Sequence, residues 1–167
     1  MIGTCRTHGS LGASAVPVTR FLRAERDTAR AMSQENVEIV RAVYDRWSEG
    51  DFYASVDLLD PHVVLVLGPE FGPDSPDVAS YSGIEAVAAY TRGLLDAYKD
   101  FTMEADEIVA AGDSVLVGVR QRGVGRISGV PTELRYFTLW SFRGRTVIRL
   151  ESFRTHGEAL EAAGLRE

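Results

Sequence analysis

The sequence predicts one domain of the α+β class, and three observations support that prediction. Up to Asp100, apolar residues recur mainly at helical spacing, interrupted by one short aliphatic run. From residue 101 to 153 the spacing changes to alternation, in four runs separated by turn residues. The length of 167 residues fits a single domain. Helices that precede an antiparallel meander are typical of α+β proteins.

Two helices are predicted before the first strand. The first runs from a cap at Ser33 to about Ser48, and Gly50 ends it. Its apolar side chains share one face: Val37, Val40, Tyr44 and Trp47. Asp51 then caps a shorter helix, which Pro61 stops.

Residues 1–31 are predicted to lie outside the domain. They show neither sustained periodicity nor the apolar segment of a secretory signal. We interpret them as a disordered tail or as the product of a misassigned start, with natural translation beginning at Met32. The domain is therefore predicted over residues 32–167.

The middle of the chain predicts one strand and one helix. His62 to Leu67 is almost entirely aliphatic, which is typical of a strand covered on both faces. Gly68 to Tyr81 contains three prolines and is predicted to be a long loop. Ser82 and Glu85 have the spacing of a capping box, which predicts a third helix that reaches Tyr98.

Four strands and a closing helix complete the predicted order ααβαββββα. Thr155 and Glu158 form a second predicted capping box, and Gly164 ends the closing helix. The alternating runs set the predicted strands: Phe101–Ala110, Ser114–Arg126, Thr132–Phe142 and Thr146–Phe153.

The third alternating run indicates which side chains face the core. Leu134, Tyr136, Thr138, Trp140 and Phe142 share one face. The opposite face carries Phe137 and Leu139, which is more apolar than a solvated face should be. We therefore expect a homodimer that covers this outer sheet face, with an exposed apolar patch on a monomer as the alternative.

Charge and cysteine content exclude several classes of partner. The formal net charge is −6, and residues 1–31 hold five arginines against two acids, so the remainder carries about −9. This balance disfavours nucleic acids and anionic membranes. The single cysteine, Cys5, excludes an internal disulfide and a cysteine-based zinc site. No apolar run is long enough to span a bilayer, so we expect a cytoplasmic protein.

Three segments carry a resemblance to a known superfamily. They are Trp47-Ser48-Glu49-Gly50-Asp51, Leu58-Leu59-Asp60-Pro61-His62-Val63, and the stretch from Glu151-Ser152-Phe153-Arg154 to Gly164-Leu165. With the element order, they resemble the nuclear transport factor 2-like superfamily, and within it the SnoaL-like polyketide-cyclase group, which includes many bacterial proteins. The resemblance covers roughly residues 33–165.

The resemblance implies a cone-shaped α+β barrel, in which a curved sheet wraps around the helices. It also implies an apolar pocket inside the cone, frequent homodimers, and neither a metal nor an organic cofactor. Members include isomerases, cyclases, dehydratases, epoxide hydrolases and non-catalytic binding modules, so the fold alone does not decide the function.

The catalytic residues known in the superfamily are missing from the matching positions. Alignment to the ketosteroid isomerases places Val43 at the tyrosine, Leu67 at the base and Thr138 at the acidic donor. Tyr44 is one residue from the tyrosine position, which on a helix rotates it by about 100°. The acid that SnoaL-type cyclases carry before the last helix is replaced by Arg154-Thr155.

Glu151 is the remaining candidate for a catalytic acid or base. Alternation places Arg149, Glu151 and Phe153 on one face, which the resemblance directs into the cone. Burial there would raise the pKa of Glu151 and prepare it for proton transfer. The alternative is an internal ion pair with Arg149 or another arginine.

Six residues are predicted to contact a ligand: Tyr44, Gln121, Tyr136, Thr138, Trp140 and Phe153. Pairing of Ile127 with Thr132 would place Gln121 opposite Thr138 and pointing inward. A one-residue slip would instead make Arg120 the pocket residue. The aromatic residues are equally compatible with plain core positions, although their polar atoms would need partners if buried.

Two functions follow from these residues. The first is a cofactor-independent isomerase, cyclase or lyase acting on a small hydrophobic carbonyl compound, with Glu151 moving the proton and Gln121 or Tyr136 donating to the oxyanion. The second is a non-catalytic, dimeric ligand-binding or accessory module. Glu151 facing an open cavity would favour the enzyme, and Glu151 paired with an arginine would favour binding.

Overall fold

The computed structural model describes residues 18–68, 71 and 79–166. The described residues form three helices, α1 Val18–Ser48, α2 Ile84–Ala97 and α3 His156–Ala162. A short 3-10 turn, Val56–Leu58, follows α1. The strands are β1 Leu59–Leu67, β2 Ala79–Ser82, β3 Tyr98–Ala111, β4 Ser114–Gly125, β5 Pro131–Arg143 and β6 Thr146–Phe153. The tail before Val18 and most of the predicted loop lie outside these residues.

The six strands form one mixed sheet in the order β2-β1-β6-β5-β4-β3. β1 and β6 are parallel and all other neighbours are antiparallel. This architecture confirms the predicted α+β class. β2 was not predicted, because its four residues lie at the end of the predicted loop. The sheet is also open, whereas the resemblance implied a closed, cone-shaped barrel.

The helices α1 and α2 pack against one face of the sheet, which we call the inner face. α1 packs on β3 and β4, whereas α2 contacts β1 and β2 at one end of the sheet and β3 at the other. Both helices therefore lie against the inner face of the sheet. The main core lies between them and includes Val40, Tyr44, Val63, Val117 and Trp140.

The first helix begins well before the predicted cap at Ser33. Residues 18–31 are helical, and the disordered tail or misassigned start predicted for residues 1–31 stays a prediction. Residues 20–32 are exposed, which explains why they show no apolar stripe. The helix continues there on alanine, arginine and glutamate, which have high helix propensity. The domain boundary at residue 32 remains a prediction.

The predicted second helix is reduced to turns and the short 3-10 segment. Asp51, its expected cap, instead forms an ion pair with Arg46 at the end of α1. Ser55 precedes the 3-10 turn without a side-chain hydrogen bond to it. Phe52 before the 3-10 turn and Leu59 after it are both buried.

The third helix, α3, covers part of the opposite, outer face of the sheet. Ala159 of α3 packs with Leu116 and Leu139 in a second apolar cluster, and Phe137 packs against it. The side chains of Phe137 and His156 have ring centroids 5.0 Å apart. The apolar residues that suggested a homodimer are thus covered within the chain, and the homodimer remains a prediction.

Paired charges occupy another part of the outer face, on β3, β4 and β5. Arg120 pairs with Asp106, and Arg122 donates to Glu133 at 3.0 Å. These arginines hold the pKa values of Asp106 and Glu133 below their usual range. Arg120 and Arg122 of β4 are therefore balanced by acidic partners on this face.

None of the helices in the described residues is long and apolar enough to cross a membrane.

Candidate functional site

A cavity lies between the inner face of the sheet and the helices. Its volume is about 100 Å³, and the whole concavity, including space open to solvent, is about 910 Å³. Nine aromatic side chains line it, among them Phe52, Phe71 and Phe101, and aliphatic residues fill most of the remaining wall. The resemblance implied an apolar pocket on this side of the sheet, and its use as a ligand pocket stays a prediction.

The described wall of the cavity contains no charged side chain. Its polar groups are hydroxyls, such as those of Ser55, Thr91 and Ser152, together with tyrosine hydroxyls and tryptophan indoles. The Ser152 hydroxyl is already used, since it donates to the carbonyl of Val66 and accepts from the amide of Gly68. The described part of the wall thus offers hydrogen bonds from uncharged groups.

Three tyrosines of the cavity, Tyr44, Tyr90 and Tyr136, are neutral phenols at physiological pH. Burial raises the pKa of Tyr44 and Tyr136 well above the usual value. Burial, with a smaller contribution from Tyr81 and Tyr98, raises the pKa of Tyr90 to about 12. These groups can donate or accept hydrogen bonds, but a raised pKa makes each a poor proton donor to substrate.

Three aromatic rings form a contiguous part of the wall, which we call the aromatic cluster: Tyr44, Trp47 and Trp140. The Tyr44 ring centroid lies 4.9 Å from that of Trp47 and 5.9 Å from that of Trp140, and the two indoles are 5.7 Å apart. Tyr44 and Trp47 come from α1 at positions three residues apart, whereas Trp140 comes from β5. A helix and a strand thus bring the rings together.

Both indole nitrogens of the aromatic cluster lack a hydrogen-bond partner among the described residues. The Nε1 atoms of Trp47 and Trp140 are buried, and Trp140 as a whole is only 1% exposed. A hydrogen-bonding contact of the Trp140 side chain with the Tyr44 hydroxyl lowers the pKa of that tyrosine, against the larger effect of burial. Its N–H nevertheless meets no acceptor with the geometry of a hydrogen bond.

Four of the six predicted ligand contacts line this cavity together: Tyr44, Tyr136, Thr138 and Trp140. The alternation of β5 places Tyr136, Thr138 and Trp140 on the inner face, opposite Val119, Val117 and Val115 of β4. Their roles in binding remain predictions.

Gln121 lies on the inner face but outside the wall of the cavity. It pairs with Leu134 rather than with Thr138, so the predicted register was wrong by four residues. Because side chains alternate between the two faces of a strand, a register shift of four residues leaves each side chain on its predicted face. Arg120 therefore points outward, where it pairs with Asp106. The Tyr136 hydroxyl donates to Gln121 Oε1 at 3.3 Å, which connects Gln121 to the cavity through that tyrosine.

Glu151 and Phe153 do not face the cavity, and the prediction that they do is wrong. Glu151 pairs with Leu139 and Phe153 with Phe137, so both lie on the outer face. Phe153 packs against the apolar cluster under α3. Arg149 Nε donates to Glu151 Oε2 at 3.0 Å, which is the ion pair that had been the alternative.

A bulge in β6 determines which side chains after Val147 face the cavity. Val147 pairs with Phe142 and is fully buried on the inner face, but Arg149 pairs with Ser141. Ile148 is therefore an extra residue on β6. Alternation counted through it assigns the wrong face to every later residue, and Leu150, like Ser152 after it, lines the cavity in place of Glu151.

The sequence interpretation did not assign Trp47, Phe52, Phe101 or Ser152 to the site. Trp47 had the clearest signal, because it shares the helical stripe of Tyr44. Phe52 and Phe101 contact each other, with ring centroids 5.2 Å apart, and no local sequence pattern connects them.

Among the described residues, no group of three or more histidine, cysteine or acidic side chains is placed to hold a metal ion.

A family model described as the SnoaL-like domain matches residues 40–150. The chain belongs to this family. The matched segment of the SnoaL-like domain extends from α1 to β6 and includes most of the cavity wall. No curated protein matches the sequence.

Solved structures share the fold of this SnoaL-like domain. One is a hypothetical protein with a ketosteroid isomerase-like fold from Catenulispora acidiphila DSM 44928, solved in complex with trimethylamine. It is 19% identical to this chain, with a TM-score of 0.59, and the match covers 77% of this chain and 94% of that one. A candidate SnoaL-like polyketide cyclase from Jannaschia sp. CCS1 has 18% identity and a TM-score of 0.58, over 80% and 91% of the two chains. A nuclear transport factor 2-like protein from Burkholderia thailandensis E264 has 20% identity and a TM-score of 0.61, over 78% and 98%.

Proposed function

We propose that this SnoaL-like domain binds a small, largely apolar molecule in the cavity without transforming it. The observation that supports binding is the aromatic and aliphatic wall around an enclosed space. Cavities of this kind are the usual sites for small molecules, because they remove apolar ligand surface from water. A structural relative of the same fold was solved in complex with trimethylamine, and this is consistent with the proposal.

The size of the enclosed space limits the ligand. An apolar cavity of about 150 Å³ is enough to hold benzene. The cavity here, at about 100 Å³, suits a group no larger than a small ring. A larger molecule would place that ring inside and the remainder in the concavity that opens to solvent.

The absence of an acid or base in the described wall argues for binding rather than catalysis. Proton transfer needs a titratable group within hydrogen-bond reach of the substrate. Glu151 lies on the other face of the sheet and is paired with Arg149. Leu67, at the position that the resemblance assigns to the isomerase base, lines the cavity with an aliphatic side chain.

Filling the cavity is expected to abolish binding. Ala88 of α2 lines the cavity, whereas Ala89 is exposed. Ala88→Phe should weaken binding of cyclopentanone and of methylenecyclopentane at least about tenfold, because the new ring occupies the ligand volume. The two tryptophans of the chain both line the cavity, so intrinsic fluorescence measures the titration.

The matched control is Ala89→Phe, the same change one residue along α2. It should leave both affinities within about twofold of the parent value. Circular dichroism establishes that each variant is folded. If the parent protein shows no saturable fluorescence change with either compound, the proposed function is wrong.

Removal of the Glu151 carboxylate is expected to leave binding unchanged. Glu151→Gln alters the outer face and breaks a half-exposed ion pair with Arg149, which contributes at most about 1 kcal/mol to stability. The affinity for cyclopentanone, measured by the same fluorescence titration, should stay within about twofold. A loss of affinity well beyond that range would contradict the placement of Glu151 outside the cavity.

A further inference from the structure

We infer that the first part of α1 docks on the helix α2 of a second copy of the chain, so that two protomers exchange these segments. The segment comprises residues 20–32, and we call it the arm. It precedes residues 40–150, which the family model matches. The contact lies on the exposed side of α2 rather than on the outer sheet face, and it does not depend on the proposed function.

The arm exposes its large apolar side chains to solvent. Phe21 is 62% exposed, Leu22 47% and Met32 40%. They form no continuous stripe, but they lie on one side of the helix, because Met32 follows Phe21 after about three turns. An isolated helix of about 12–15 residues is marginally stable in water, so the arm gains stability when another surface covers this side.

Among the described residues, the arm's own domain does not provide that surface. α1 continues through the arm without a break, and residues 20–32 are all exposed. Directly after the arm, two contacts fix α1 to the turns of the sheet. The Ser33 hydroxyl donates to the carbonyl of Gly112 at 2.9 Å, and Arg145 pairs with Glu35 at 2.8 Å. The arm therefore begins where α1 leaves the sheet, and it reaches about 20 Å at the usual rise per residue.

A groove on the exposed side of α2 can receive such a helix. It is lined by small residues, such as Ala86 and Gly93 two turns apart, and by the rings of Tyr81 and Tyr90, whose centroids are 5.0 Å apart. A Cβ atom added at Gly93 would meet no other atom within 4 Å, so this part of the groove is open. Small side chains at a contact allow two helix axes to approach to about 8 Å, the lower end of the usual range.

The charges beside the groove are complementary to those of the arm. α2 exposes Glu85, Arg92 and Asp96, which follow one another as acid, base and acid. The arm has the opposite order, since Glu25 lies between two pairs of arginines: Arg20 and Arg23, Arg26 and Arg30. Within the described part of one chain, none of these groups forms an ion pair. A second copy can supply the partners.

Net charge and the position of Glu25 favour a second copy over a lipid surface. Residues 20–31 hold four arginines against two acids, whereas the chain after them carries about −9, so arm and domain attract each other. Glu25 lies about one turn after Phe21 and Leu22, on the apolar side of the arm. An apolar bilayer boundary would bury this carboxylate without a cation, which is costly, whereas Arg92 of a second copy offers one.

Sedimentation velocity of the full chain, over a series of concentrations, measures the association. The arm variant carries Phe21→Asp together with Leu22→Asp, which places two charges on the apolar side of the arm. The groove variant carries Gly93→Trp, which fills the groove without a clash inside its own chain. Circular dichroism establishes that each variant is folded.

Each variant has a matched control at exposed positions. Ala24→Asp together with Ala31→Asp adds the same two charges to another side of the arm. Ala162→Trp adds the same indole to α3, away from the groove. Both controls should leave the dimer dissociation constant within about twofold of the parent value.

We expect the parent chain to dimerise, and each variant to raise the dissociation constant at least about tenfold, because apolar anchors carry most of the affinity of an interface. The arm variant keeps an intact groove and the groove variant keeps an intact arm. An equimolar mixture of the two should therefore form dimers with one docked arm, at a concentration where neither variant associates alone.

Four results would overturn the inference. The first is a parent chain that stays monomeric into the millimolar range. The second is a dimer that both variants leave intact, which would indicate another interface, such as the outer sheet face. The third is an arm variant that does not associate and that the groove variant cannot rescue, which would place the arm on a different surface. The fourth is a monomeric parent chain that sediments with phosphatidylserine vesicles. None of these results changes the ligand titrations that test the proposed function.

Discussion

Replacement of Trp140 with alanine is expected to lower the free energy of unfolding by about 3–5 kcal/mol, the range for removal of a buried tryptophan. Trp140 is 1% exposed and contacts both other rings of the aromatic cluster. In the sheet it lies between Val115 of β4 and Leu150 of β6. Because the surrounding strands are paired on both sides, they cannot collapse into the space that the indole leaves.

Urea denaturation followed by circular dichroism measures this loss. Trp140→Phe is the matched control, and it should cost less because the phenyl ring keeps much of the packing. The alanine variant should also enlarge the cavity, so a ligand bigger than cyclopentanone should gain affinity and restore part of the stability. A loss below about 1 kcal/mol for Trp140→Ala would contradict the central packing role of this side chain.

The inner face of β5 could be predicted because its alternation is unbroken. Tyr136, Thr138 and Trp140 follow one another at period two, and the strand pairs with β4 without a register shift over its whole length. Under these conditions the face of one residue determines the face of the others. The same regularity kept Gln121 on the correct face although its predicted partner was wrong.

β6 could not be predicted in the same way, because a bulge is not visible as a local pattern. Val147 and Leu150 are both buried on the inner face, although they are three residues apart. A sequence reader who assumes strict alternation must misplace one of the two. Arg149, Glu151 and Phe153 do share one face, as alternation predicted, but it is the outer face, so the inward direction that the resemblance implied for Glu151 is wrong.

The two predicted capping boxes show how pairing within the sheet can override a local motif. At Thr155 the box forms, with Glu158 N–H donating to Thr155 Oγ1 at 3.3 Å. At Ser82 it does not, because Ser82 pairs with Val64 as the last residue of β2. The helix cap moves to Gly83, whose φ of 87° is a conformation that glycine adopts most readily.

Introduction of a charge beneath α3 is expected to detach this helix from the sheet. Ala159 is fully buried against Leu116 and Leu139 on the outer face. An aspartate there would be too short to reach solvent and would lie among apolar groups without a partner. An uncompensated buried charge costs about 3–5 kcal/mol, so Ala159→Asp should either lose that much stability or release α3.

Amide hydrogen exchange measures whether Ala159→Asp releases α3 or destabilises the whole domain. Release of α3 should remove protection from residues 156–162 while the amides of β4 and β5 remain protected. The matched control is Ala162→Asp, on an exposed position of the same helix, where the cost should stay below about 1 kcal/mol. If Ala159→Asp preserved both stability and protection in α3, the outer apolar cluster would not hold the helix, and Phe137 and Leu139 would again require a cover from outside the chain.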